Sequence, residues 1–100
     1  TEAKKIAVLA DTYHRPIAPH DCSGPLALMA CIHVSLNAPN TLIQETVRAF
    51  YSGWYKELVT VLPDIREGYV YPPEGPGLGT DLLPEVFERK DIHVTVTEAD

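Results

Sequence analysis

The chain lacks the features that many functions require. Eight Lys and Arg stand against 14 Asp and Glu, a formal charge of −6, and only Lys4-Lys5 and Arg89-Lys90 are adjacent. No basic stripe is present to displace phosphate counterions, which argues against a nucleic-acid partner. No apolar run reaches the roughly twenty residues that a bilayer-spanning helix needs, so no membrane partner is expected. The opening Thr1-Glu2-Ala3-Lys4-Lys5 starts a helical pattern at once and is not a secretory leader. Thr1 can cap that helix, and the chain reads as cut from something longer.

Cysteine is scarce as well. Cys22 and Cys31 lie nine apart, a spacing that fits neither a metal site nor a disulfide framework. The expectation is two buried, reduced thiols in a cytoplasmic protein. There is no His-Glu-x-x-His, no cluster of carboxylates, no internal repeat and no low-complexity tract. Gly75-Pro76-Gly77-Leu78-Gly79 has neither the lysine of a phosphate loop nor dinucleotide spacing, and Pro76 removes a donor that a phosphate nest would use. It reads as a structural turn that lets backbone pack closely.

What is present is 45% hydrophobic residue in a pattern of α/β type. Ala3, Ile6, Ala7 and Ala10, with Tyr13 or His14, share one face of a helix over residues 1–13, which must end before Pro16. His14 falls in the exit turn, at the surface. Ile17–His20 is a short strand, interrupted because Pro16 and Pro19 each lack a ladder donor. Ser23-Gly24 starts a second helix, with Pro25 at its first position. From Leu26 to Leu36 that helix is apolar nearly all round, so it is packed on several sides. His33 lies on its stripe as a satisfied core or edge histidine.

Asn37-Ala38-Pro39-Asn40 breaks the helix, and Leu42–Glu45 forms the next strand. Residues 46–52 are expected as a loop, and Trp54–Leu62 as an amphipathic helix ended by Pro63. Trp54 and Tyr55 read as packing anchors rather than site residues. Beyond lie a short strand at Tyr69–Tyr71 and a helical turn over Asp81–Arg89. Ile92–Thr97 alternates as a strand, Ile92, Val94 and Val96 on one face, with His93 facing solvent.

Two polar groups therefore end successive parallel strands, His20 and Glu45. In parallel α/β folds those ends share the face that carries the chemistry. A neutral imidazole on that rim is a natural base near neutral pH. Adjacent residues leave the backbone in different directions, so Asp21 is not its partner and an orienting carboxylate should come from elsewhere. Glu45 is either a rim carboxylate or an acid held against substrate. The residues alone leave both positions open between structural and functional roles.

Ala18-Pro19-His20, Gly24-Pro25, Ile43-Gln44-Glu45 and Gly75-Pro76-Gly77-Leu78-Gly79, in that order, resemble the C-terminal part of the mandelate racemase group of the enolase superfamily. The likeness is greatest to acid-sugar dehydratases of the galactonate dehydratase type, and spans roughly residues 1–81. The separation of 25 positions from His20 to Glu45 matches the spacing of that group. Asp21-Cys22-Ser23 departs from it, since relatives often carry a more apolar stretch there.

The resemblance implies the closing portion of a modified (β/α)7β barrel. Residues 1–66 would form its last βα units, and residues 67–100 a tail that returns to an α+β capping domain. It implies a Mg2+-dependent enzyme, with His20 as catalytic base or proton donor and Glu45 hydrogen-bonded to the substrate carboxylate. The metal ligands, and the aspartate paired with the histidine, would lie upstream of Thr1. Partners would be that upstream segment, a small sugar acid and further copies in a homo-oligomer. A racemase of the same family, or a non-catalytic truncated module, are the rival expectations.

Overall fold

The computed structural model describes residues 1–98. Helix α1 spans Glu2–Thr12, and Thr1 lies at its N-cap without a side-chain bond. It ends in a left-handed turn at His14 (φ 52°), which is exposed. Strand β1, His20–Asp21, leads into helix α2, Pro25–Asn37. Strand β2, Glu45–Thr46, follows and pairs with β1 in parallel. Asn40 ties these parts together, its amide donating to the carbonyls of Ala7 (3.1 Å) and Arg15 (2.9 Å).

The ladder between the two parallel segments is interrupted. Ile17 bridges Thr41, and further on His20 pairs with Glu45. His20 is three residues past Ile17, whereas Glu45 is four past Thr41, so one extra residue is accommodated in the second segment. Pro19 is part of the cause, having no N–H to donate. Its carbonyl instead accepts from the Glu45 backbone N–H (2.8 Å) and from the Gln44 amide (3.0 Å). Gln44 also donates to the Glu45 carbonyl (2.9 Å) and accepts from Ser35 Oγ on α2 (2.7 Å). A bulge of this kind re-aims the side chains that follow it.

The core is small. Leu28, Met29 and Ile32 occupy one face of α2 and close on Tyr55, all essentially without exposed surface. Burial stabilises each such side chain by about 1.5–3 kcal/mol. Phe50, Tyr51, Leu62, Val70 and Leu78 pack around them. The rest of α2 is less covered than its composition suggests, with Leu36 48% exposed. His33 is half-buried, its Nε2 3.3 Å from the Leu78 carbonyl.

Several local expectations are corrected. Residues 46–52 contain a short helix, α3, Arg48–Tyr51. The helix expected over Trp54–Leu62 is a single 3-10 turn, Trp54–Glu57. Beyond it the chain extends, Val59 bridging Leu82, because β-branched Val59, Thr60 and Val61 favour extended backbone. Thr80 locks that crossing, its hydroxyl donating to the Val61 carbonyl at 2.8 Å.

Ile65–Arg66 and Tyr69–Val70 form an antiparallel hairpin, β3 and β4, through Glu67 and Gly68 at φ 53° and 82°. Positive φ at both central residues matches the twist of flanking strands. A 3-10 helix covers Pro84–Glu88 within the expected turn. Residues 92–97 form no strand, since alternation supplies a face but no partner is present among the described residues, and Val96 is 81% exposed. Their side chains, His93 among them, are exposed.

The radius of gyration is 15.1 Å, with extents of 46 × 44 × 24 Å. A self-contained chain of this length would have a radius near ~13 Å. The chain is correspondingly flat, and it exposes Ile6, Leu9, Tyr13, Leu42 and Ile43.

Candidate active site

Partners directly opposite each other in a parallel pair point to the same face, because side chains alternate with a period of two along each strand. The register His20↔Glu45 therefore sets the two side chains beside each other. His20 Nδ1 lies 3.3 Å from Glu45 Oε2, and the side chains are 51% and 54% exposed. A carboxylate at Nδ1 orients the ring and leaves Nε2 free for proton transfer. The pair lines an open cavity of about 950 Å³, together with Ile43, Arg48, Tyr51 and Tyr69.

Asp21 faces the other way. It is 2% exposed, and both of its oxygens are engaged. The Tyr55 hydroxyl donates to Oδ2 at 2.9 Å. The Ser23 N–H (3.2 Å), the Ser23 hydroxyl (3.2 Å) and the Gly24 N–H (3.4 Å) converge on Oδ1. Asp21 is thus no partner for His20, in keeping with its place one residue along the strand. Burial pushes the Tyr55 hydroxyl up to about 12, and the bond to Asp21 adds to this. Its proton stays in place throughout the neutral range.

Trp54 and Tyr55 are packing residues. Their rings meet edge to face with centroids 4.6 Å apart, and Phe50 lies 5.5 Å from Trp54. The cysteines are both free, but only in part as expected. Cys31 is half-buried, and its thiol is pushed up by burial first and by Asp21 second. Cys22 is exposed, since it projects from the turn between β1 and α2. Gly79 does permit close packing: at φ 77°, an added Cβ would lie 2.7 Å from Pro73 Cβ and 2.8 Å from the Glu74 carbonyl oxygen. Among the described residues, no group of three or more His, Cys, Asp or Glu could hold a metal ion.

The family model described as Enolase C-terminal domain-like matches residues 1–86. The chain belongs to this family. Among curated members, D-xylonate dehydratase of Haloferax volcanii is 41% identical over 81% of this chain and 19% of its own length. D-galactonate dehydratase of Ralstonia pickettii is 37% identical over 82% of the chain and 23% of its own length. The chain therefore spans about a fifth of the curated enolase-type relatives it matches.

Solved structures agree with the family. A crystal structure of an enolase of the mandelate racemase subgroup from Agrobacterium tumefaciens aligns with a TM-score of 0.79 and 52% identity, covering 87% of this chain and 24% of that one. A Burkholderia xenovorans protein named as an L-alanine-DL-glutamate epimerase, bound to magnesium and fumarate, aligns at 0.71 with 36% identity, covering 81% and 20%.

Three residues of this enolase-type segment escaped the sequence reading: Asp21, Gln44 and Tyr55. The spacing Asp21-Cys22-Ser23-Gly24 is a recognisable Asx-turn signal that explains the Oδ1 contacts. Nothing in the sequence points to the Tyr55 contact, which spans 34 residues.

Proposed function

We propose that this chain carries the proton-transfer side of the active site of a Mg2+-dependent acid-sugar dehydratase. On this reading it is the closing part of a modified (β/α)7β barrel, and residues 67–100 return to a capping domain. The observation that carries the reading is the in-register pairing of His20 and Glu45 in two adjacent parallel strands, with Nδ1 and Oε2 3.3 Å apart. It is supported by relatives named D-xylonate and D-galactonate dehydratase. The exposed Ile6, Leu9, Leu42 and Ile43 would be covered by the remainder of the longer protein.

The described residues do not suit a metal ion. Magnesium would belong to the part of the protein that this chain does not span, and the steps here use only His20 and Glu45. The α-proton of the sugar acid passes to a base, leaving an enediolate. The C–O bond at the β-carbon then breaks, and the hydroxyl takes a proton and departs as water. The resulting enol tautomerises to a 2-keto-3-deoxy acid. His20, with Nδ1 3.3 Å from Glu45 Oε2, accepts the α-proton or delivers one to the leaving hydroxyl. Glu45, on the same cavity wall, lies where a hydrogen bond with the substrate carboxylate would strengthen as negative charge develops there.

The test is His20→Asn in the full-length protein, followed by proton NMR in D2O with xylonate and galactonate. Exchange of the α-proton should be abolished while substrate binding persists. Exchange at the native rate would remove His20 from the role. The similarity to a protein named as an epimerase favours a second reading, inversion at the α-carbon. Deuterium incorporation with no loss of water from the product would select it.

A further inference from the structure

Asp21 is the one buried carboxylate among the described residues, and the chemistry above does not use it. A carboxylate this deep is costly to bury unless its lone pairs are answered. Here they are answered from two directions. Ser23 and Gly24, in the turn that starts α2, hold one oxygen. The other is held by Tyr55, which lies beyond β2 and α3 and has no exposed surface.

The position of this contact is what gives it meaning. Asp21 directly follows His20 in β1, and pairs in register with Thr46, which directly follows Glu45 in β2. The Asp21–Tyr55 bond thus fastens the end of the strand bearing His20 to the segment that follows the strand bearing Glu45. Only two residues of each strand are paired there. The ladder just before them is interrupted by Pro19 and the extra residue near Gln44. Backbone pairing alone therefore restrains the rim weakly, while Leu28, Met29 and Ile32 form one buried cluster with the Tyr55 ring.

We propose that Asp21 and Tyr55 form a buried clamp that positions the His20 imidazole against Glu45. They are positioning residues, acting through His20 and not on substrate. Their kinetic consequence rests on the proposed role of His20. The raised Tyr55 pKa keeps the donor protonated throughout the working range of a neutral-pH enzyme.

The experiment uses the full-length protein and Tyr55→Phe, which deletes one hydroxyl and keeps the packed ring. A misplacement of about 1 Å costs on the order of a hundredfold in rate. Tyr55→Phe is therefore expected to lower kcat by about ten- to a hundredfold, with KM within about twofold. The Cε1–H signal of His20, assigned by subtraction with His20→Asn, should move or broaden in parallel. Asp21→Asn retains an oxygen acceptor and an amide that can pair with the Tyr55 oxygen, so it should keep activity that Asp21→Ala loses.

Native kcat together with an unmoved His20 signal in Tyr55→Phe overturns the proposal, as does equal loss in Asp21→Asn and Asp21→Ala. Should Tyr55→Phe fail to fold, the Asp21 pair decides. A wild-type protein that neither exchanges nor dehydrates sugar acids removes the proposed function, and the His20 signal still judges the clamp.

Discussion

Replacing Tyr55 by Phe also makes a stability prediction whose size follows from the structure. The ring is fully buried and stays so, with its contacts to Phe50 (5.8 Å between centroids) and Trp54 (4.6 Å) retained. The apolar contribution is therefore unchanged. What is lost is one hydrogen bond to a carboxylate that is 2% exposed. Hydrogen bonds to charged groups contribute about 1.5–3 kcal/mol net. Among the described residues Tyr55 is the sole donor to Oδ2, while the donors from Ser23 and Gly24 remain on Oδ1. The loss should fall in the upper half of that range, about 2–3 kcal/mol.

Urea and thermal denaturation of the full-length protein at neutral pH measure it. Adding Asp21→Asn removes the charge left without its donor, so the double variant should lose less than the sum of the singles, by about 1–2 kcal/mol. The pH dependence supplies a second check. In the folded state Tyr55 holds its proton up to about 12, against an ordinary 10.0. Its contribution is fully present below pH 10 and is lost as pH rises through about 12. Tyr55→Phe should flatten the fall in stability across that window, with the remaining tyrosines common to both proteins. A Tyr55→Phe protein within about 0.5 kcal/mol of wild type, the range of an ordinary surface change, would refute the reasoning. Asp21 would then be hydrated rather than dependent on the phenol.

Three further outcomes are expected. Ile32→Ala should cost about 2–5 kcal/mol, since the side chain is fully buried in the core; a denaturation midpoint close to wild type would mean the neighbours collapse into the space. Gly79→Ala should cost about 1–3 kcal/mol through left-handed strain and the clash with Glu74. Limited proteolysis would report it as faster cleavage after residue 70, and an unchanged pattern would count against the tight turn. Cys22 should react with a maleimide at pH 8 at least about tenfold faster than Cys31, because Cys22 is exposed while burial both covers the Cys31 thiol and pushes its pKa up. Peptide mapping that finds the two labelled equally would contradict the burial assigned to Cys31.

The legible parts of the sequence were those where a pattern has one physical solution. Pro25 after Ser23-Gly24, thirteen residues without an interior breaker, and Asn37 at the end define α2 within a residue or two. Trp54–Leu62 failed because apolar spacing of helical type also fits a chain that turns once and then extends. The deciding partner was Leu82, more than twenty residues away, which pairs with Val59. Ile92–Thr97 failed in the opposite sense: it has the alternation of a strand and no neighbour among the described residues to complete a ladder.

For the candidate site, sequence alone determined that a histidine and a glutamate stand on two successive extended segments, since proline and apolar residues locate those segments locally. It set them at the ends of strands 17–20 and 42–45, whereas they open the paired strands His20–Asp21 and Glu45–Thr46. It could not determine that they meet. Continuing the Ile17↔Thr41 register would set His20 opposite Gln44. The extra residue, stabilised by the Gln44 amide between Pro19, Glu45 and Ser35, brings Glu45 there instead. Such a one-residue choice depends on hydrogen bonds between segments about 25 residues apart in sequence, as does the Asp21–Tyr55 bond across 34. Local propensity carries no information about either. Only the folded backbone, which must answer the carbonyl of Pro19 and the buried carboxylate of Asp21, decides them.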